Sequence, residues 1–264
     1  MLLAINDIGI VIICSIVLLL LLGSFFIVHI SSLKKKIKSQ QGIQQLRDEQ
    51  QNHLIACAVL SEEAERQRIG EELHDEVGAI LSATKLHFAN IETSTLPDRD
   101  AQLHIKSKEL LDEAIQKVRL ISQNLHSNIL KEFGLNEAIL HLIKTTAGSI
   151  VHTELNLDDT YTAKDIAGDI STYRMIQELV QNIIEHALPT ELFISSRFTN
   201  NELSILVEHN GKGLTQEVFE ALLFKTSGLG LPTIQNRLIL LKGTIAFAKR
   251  EKAYSILLNI PKNK

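Results

Sequence analysis

From Ile8 to Ile30 the chain reads IGIVIICSIVLLLLLGSFFIVHI, with no aspartate, glutamate, lysine or arginine. A run of this length can cross a hydrocarbon core about 30 Å thick. A cleaved leader would need a basic start and a small-residue cleavage site, whereas Asp7 precedes the run and KKKIK follows it, Lys34 to Lys38. The positive flank places the remainder of the chain on the cytoplasmic side. The expectation is a single-pass anchor over residues 1–32, with too few residues before Ile8 for an outside sensing domain.

The balance of charge limits the partners open to the chain. Lys and Arg number 27 against 31 Asp and Glu, a net charge of −4, so no basic face points to direct nucleic-acid binding. Cys14 and Cys57 have neither a disulfide framework nor zinc-ligand spacing. With 264 residues and 45% hydrophobic composition there is material for one or two packed domains beyond the anchor.

Between Leu33 and about Ile91 there is no proline, and Gln, Glu, Lys and Leu dominate. This predicts one long helix, its part over 33–64 a linker coiled coil with loose heptads from Ile37 to Leu60. TSTLPDRD, Thr93 to Asp100, breaks it. A second helix then carries Leu103, Leu110, Leu111, Ala114, Val118, Ile121 and Leu125 on one face. Two such helices cannot bury their stripes alone. An antiparallel hairpin over 65–127, paired with a second copy into a four-helix bundle, is expected.

Beyond Ser127, strand-like IVHTELNL, LFISSRF, LSILVEH, TIAFAKR and YSILLNI interleave with helix-like GLNEAILHLIKTTA, ISTYRMIQELVQNIIEHA and LGLPTIQNRLILLKG. Residues 128–264 thus read as an α/β sandwich.

Four short stretches carry chemistry. GEELHDEVG, Gly70 to Gly78, puts Gly70, His74 and Gly78 four apart on a helix, so the histidine reads as flanked by bare backbone and open to a large partner. QELVQNIIEHA aligns Glu178, Asn182 and either Glu185 or His186 on one face, an amide oxygen beside a carboxylate, which suits magnesium. EHNGKGL follows a strand, and Gly211 and Gly213 permit φ > 0 and close backbone approach. TSGLGLPTIQNRL leads glycines into a helix N-terminus, where unpaired N–H groups favour phosphate. Each of the last three is weak alone. Polar residues on a helix are usually its wet side, and NGKG is usually a turn.

In this order they resemble the ATP-binding domain of the histidine kinase, gyrase and Hsp90-like superfamily. ERQRIGEELHDEVGAILSATKLHF, Glu65 to Phe88, is similar to the phosphoacceptor helix of the nitrate-sensor and DesK-like histidine kinases, and Gly134–Leu135 fits that group. The resemblance implies a homodimeric sensor kinase of the bacterial cytoplasmic (inner) membrane. It would take phosphate from ATP and Mg2+ on His74 and pass it to the receiver domain of a response regulator, usually a helix-turn-helix transcription factor. Asp75 would fix the imidazole tautomer, and Glu178 would assist. Asn182 would hold the metal. His186, His209, Gly211, Lys212, Gly213, Thr226, Gly228, Leu229 and Gly230 would form the nucleotide site, with Leu214 to Ser227 a flexible lid.

Three positions depart from that pattern. His209 stands where an aspartate normally accepts from the adenine amino group, and Glu208 should point to the other face of the strand. Ala79 stands where a glutamine often positions water for dephosphorylation, and Pro232 replaces a polar residue after GLGL. A degenerate, non-catalytic dimeric scaffold is the alternative that His209 favours. A serine kinase of the anti-sigma type leaves the His74 helix unexplained.

Overall fold

The computed structural model describes residues 2–91, 97–126, 128–146, 148, 151–162, 165–223, 230–251 and 253–262, with the backbone alone at 2–23, 25, 27 and 28. The chain divides into two compact units, 1–54 and 55–264. The first is helical from Leu2 onward, the opening part of α1 (Leu2–Glu72), and leaves Ile37, Leu46 and Leu54 exposed. Among the described residues, no helix is long and apolar enough to cross a membrane. Most side chains of the Ile8–Ile30 run lie outside them.

In the second unit α1 does not pass smoothly through the histidine. A π-turn, Leu73–Val77, intervenes before α2 (Gly78–Ala89). A π-turn accommodates one extra residue without ending the helix. α3 (Asp98–Leu125) begins behind Pro97, with Asp98 and Asp100 favourably placed in its first turn. It runs back along the first arm: His104 Nε2 meets the Phe88 carbonyl at 3.0 Å, Lys85 pairs with Asp112 at 2.6 Å, and Ser122 Oγ donates to the Gly70 carbonyl at 2.9 Å. α2 buries no residue and α3 only Ile115 and Ser122, so Ile80, Leu86, Leu103, Leu110 and Ile121 remain exposed in the single chain.

α4 (Asn128–Thr146) is two helices meeting at Gly134, whose φ of 85° and ψ of 179° belong to a region that only glycine occupies without strain. β1 (His152–Asn156) follows. α5 (Ile166–Asn182) is capped by Asp165, whose carboxylate accepts from the Ala167 and Gly168 amides, and ends in a second π-turn, Ile183–Ala187. β2 (Glu191–Thr199) and β3 (Glu202–His209) are joined through Asn200 and Asn201, φ 53° and 60°. Two successive left-handed residues make the tight turn that matches strand twist. α6 (Gln216–Leu223), α7 (Gly230–Leu241), β4 (Thr244–Lys249) and β5 (Tyr254–Pro261) complete the unit.

The five strands lie in the order β1-β2-β3-β5-β4, with β1–β2 parallel and the other pairs antiparallel. Alternation puts Leu203, Ile205, Val207 and His209 of β3 on the buried face, with Ile256, Leu258 and Ile260 of β5. Met175, Ile176, Val180, Ile234 and Leu238 of α5 and α7 join them in one apolar core. The α/β sandwich expected over the second half is therefore present. The segment after Leu214 is not wholly a lid: α6 is anchored by buried Phe219, stacked on Phe247 at 4.5 Å.

Candidate active site

His74 lies inside the first π-turn with its side chain 69% exposed, and its Nδ1 is 3.0 Å from Asp75 Oδ1. Neighbours in sequence thus make the imidazole–carboxylate pair directly. The two flanking glycines are not equivalent. A Cβ on Gly70 would lie 2.9 Å from His126 Cδ2 and 3.3 Å from Leu125 Cβ, so this glycine is a close-approach point for α3. A Cβ on Gly78 would meet only the Leu73 carbonyl, at 3.6 Å. The expectation of bare backbone on both sides holds for Gly78 and fails for Gly70, because the hairpin partner occupies that side. Ala79, Ser82 and Arg119 line a cavity beside His74.

The second cluster surrounds α5. Asn182 Nδ2 donates to Glu178 Oε1 at 3.0 Å, which leaves the amide oxygen available to a cation. His186 lies in the second π-turn and lines the same cavity as Asn182, whereas Glu185 accepts from Gln181 outside it. That cavity has a volume of about 320 Å³, and His209, Lys212, Gly213, Leu214 and Tyr254 also line it. Gly211 and Gly213 are close-approach points, but neither has a positive φ, so the left-handed backbone that glycine would permit is not used there. The Lys212 amide donates to the Ala187 carbonyl at 2.9 Å, and a Cβ on Gly211 would overlap that carbonyl, one on Gly213 the Tyr254 ring. Gly230 begins α7 against Glu178, whose carboxylate a Cβ there would overlap. Thr226, Gly228 and Leu229 lie outside the described residues.

His209 is the buried end of the β3 core face, 4% exposed. Register sets it opposite Tyr254, and the rings stack with centroids 5.9 Å apart and 17° between planes. Its Nδ1 is enclosed without a hydrogen-bond partner, and burial pushes its pKa below the ordinary histidine value. Glu208 faces the other way, paired with Arg250 at 3.0 Å. Asn210 is structural: its Oδ1 accepts from the Thr190 and Glu191 amides, tying the glycine loop to β2.

Sequence reading missed the long-range partners. Tyr254 belongs to no motif. Arg174, buried on α5, donates to both carboxylate oxygens of Glu63, at 2.9 and 2.8 Å, and to the carbonyls of Asn124 and Leu125. Arg237 on α7, 1% exposed, pairs with Glu62 at 3.2 Å. These pairs fasten the α/β sandwich to α1 and α3. Among the described residues, the cavities lined by His74 share no residue with the one lined by Asn182.

The residues fit a nucleotide with magnesium. The cavity is bounded by His209, Lys212 and Gly213, and Asn182 with Glu178 supplies few protein ligands, as a cation that keeps water and phosphate oxygens requires. Among the described residues no cluster of three His, Cys, Asp or Glu could hold a metal alone.

Residues 65–130 match the family described as "Histidine kinase", and residues 168–263 match "Histidine kinase-, DNA gyrase B-, and HSP90-like ATPase". Sensor histidine kinase MctS of Rhizobium johnstonii is 25% identical over 83% of this chain and 48% of its own length. Signal transduction histidine-protein kinase/phosphatase UhpB of Salmonella typhimurium is 23% identical, over 78% and 43%. Sensor protein VraS of Staphylococcus aureus is 30% identical, over 57% and 43%. The chain therefore spans less than half the length of these relatives. The solved Acinetobacter baumannii histidine kinase AdeS aligns over 73% of this chain and 98% of its own, at 19% identity and TM-score 0.43. The two family matches together cover more than half of the chain and contain both clusters, and the chain belongs to the sensor histidine kinases of the nitrate-sensor and DesK-like group.

Proposed function

We propose that this chain takes the γ-phosphoryl group of ATP onto His74 and passes it to an aspartate of a response-regulator receiver domain. The observation that carries this reading is the His74–Asp75 pair, 3.0 Å apart on an exposed turn. Asp75 accepts the Nδ1 proton, which leaves Nε2 with its lone pair outward as the nucleophile. Asn182 and Glu178 would hold magnesium, which neutralises charge on the phosphates. His186, His209, Lys212, Gly211, Gly213 and Gly230 would contain the nucleotide, together with Thr226, Gly228 and Leu229. Phosphoryl transfer needs positioning and charge neutralisation more than covalent help, and these residues supply both. Since the two clusters line separate cavities, transfer requires the nucleotide region to move, or to come from a second copy.

The uncovered apolar faces of α2 and α3 support a homodimer through a four-helix bundle. Residues 1–32 serve as a single-pass anchor in the bacterial inner membrane, 33–64 as linker, 65–127 as dimerisation and phosphotransfer region, and 128–264 as ATP-binding region. The regulator that receives the phosphate would be a helix-turn-helix transcription factor. The test is incubation of the full chain in detergent micelles with labelled ATP and magnesium. It should give an acid-labile, base-stable label that His74→Ala abolishes with the melting temperature unchanged. Undiminished label in that variant overturns the assignment.

A further inference from the structure

We infer that the nucleotide site accepts 6-oxopurine triphosphates as well as ATP, because His209 can present either a hydrogen-bond acceptor or a donor to position 6 of the base. The inference rests on the ATP-binding role proposed for this cavity. Three observations carry it. His209 lines the 320 Å³ cavity beside Asn182 and Gly213, and Leu179, Ile183 and Phe247 make the walls mainly apolar. Polar discrimination of a base therefore falls on few groups. Next, the ring is fixed in place, stacked on Tyr254 across the β3–β5 register and 4% exposed. Last, Nδ1 is fully enclosed and has no hydrogen-bond partner among the described residues.

The third point decides the chemistry. The tautomer of a buried histidine is set by the bond its other nitrogen makes. Here no protein group among the described residues makes such a bond to Nδ1, so neither neutral tautomer is fixed by a partner: one leaves a buried N–H unpaired, the other a buried lone pair. With the proton on Nδ1, Nε2 accepts from a 6-amino group. With the proton on Nε2, it donates to a 6-oxo group. Burial disfavours the charged ring, so these two neutral forms are the relevant species. An ionised aspartate at this position would offer acceptors only and would set oxygen against oxygen on a 6-oxopurine. A site built to one hydrogen-bond pattern rejects its mismatch strongly, and a group that can reverse its pattern does not.

Inosine triphosphate is the suitable probe, since it replaces the 6-amino group by oxygen and adds nothing at position 2. Titration calorimetry on the full chain with magnesium should give dissociation constants for ATP and inosine triphosphate within about tenfold of each other. In His209→Asp the ratio should widen to on the order of a hundredfold or more in favour of ATP. His209→Asn, whose amide can also turn either way, should keep the narrow ratio. A wild-type ratio of a hundredfold or more overturns the inference while leaving the ATP site intact. If neither nucleotide binds the wild type, the nucleotide reading itself falls, and this inference with it.

Discussion

At the scale of single residues, the buried His209 ring makes stability sensitive to acid, and with it the nucleotide binding proposed for its cavity. The unfolded imidazole titrates near 6.5, and burial lowers the folded value. Between the two values the unfolded chain holds a proton that the folded one does not, so stability falls as pH drops through that window. Leu192 of β2 and Tyr254 of β5 flank the ring in register, and Asn182, His186 and Lys212 line the same cavity. ATP affinity, a property of the folded chain, should hold level through about pH 6.5 and weaken only as pH falls through the lowered folded value. Melting temperature should begin to fall earlier, from about pH 6.5 downward, and both slopes should be shallower in His209→Asn. Parallel profiles for the two proteins from pH 7.5 to 5.5 would show that another group governs the acid limb.

Secondary-structure elements meet at the start of α7, where Gly230 touches Glu178 of α5. The obstacle to a Cβ there is the tip of a flexible side chain, and at the first residue of α7 the change in helix propensity is small. Gly230→Ala should therefore leave melting nearly unchanged. It should nonetheless displace Glu178 from Asn182 and weaken magnesium-dependent ATP binding about tenfold or more, the worth of one hydrogen bond to a charged group. Calorimetry with and without magnesium separates the two effects. Elements of this size are legible in the sequence because the period-2 and period-3.6 patterns are local: all five strands, the hairpin and the helix bearing Asn182 follow from them. The two π-turns are not, since HDEV and IEHA read as ordinary helix and the extra residue shows only in backbone phase. α6 is hidden by its shortness beside a glycine-rich stretch. Tyr254, Glu63 and the crowding at Gly70 depend on partners far along the chain, which no local pattern announces.

For the molecule as a whole, the pairing of Glu63 with Arg174 holds the sandwich to the helical hairpin. Arg174 is almost fully buried, so Glu63→Ala would strand a guanidinium among the Asn124 and Leu125 carbonyls. Removing one partner of such a pair costs about 3–5 kcal/mol. A thermal melt should show a loss of several degrees or more, while the ATP dissociation constant, set in a cavity that Glu63 does not line, should stay unchanged. On the other side of His74, the Lys85–Asp112 pair ties α2 to α3. The π-turn between these two fastenings has a mechanical meaning. Were it to become α-helix, α1 would have to rotate by about 100° and slide about 1.5 Å relative to α2. Gly70 pressed on α3 and Glu63 clamped on Arg174 set the phase of the upstream helix, and α2 against α3 sets the phase downstream. The mismatch between them is absorbed within Leu73–Val77, so a torque applied to α1 should act first on the turn that carries the imidazole.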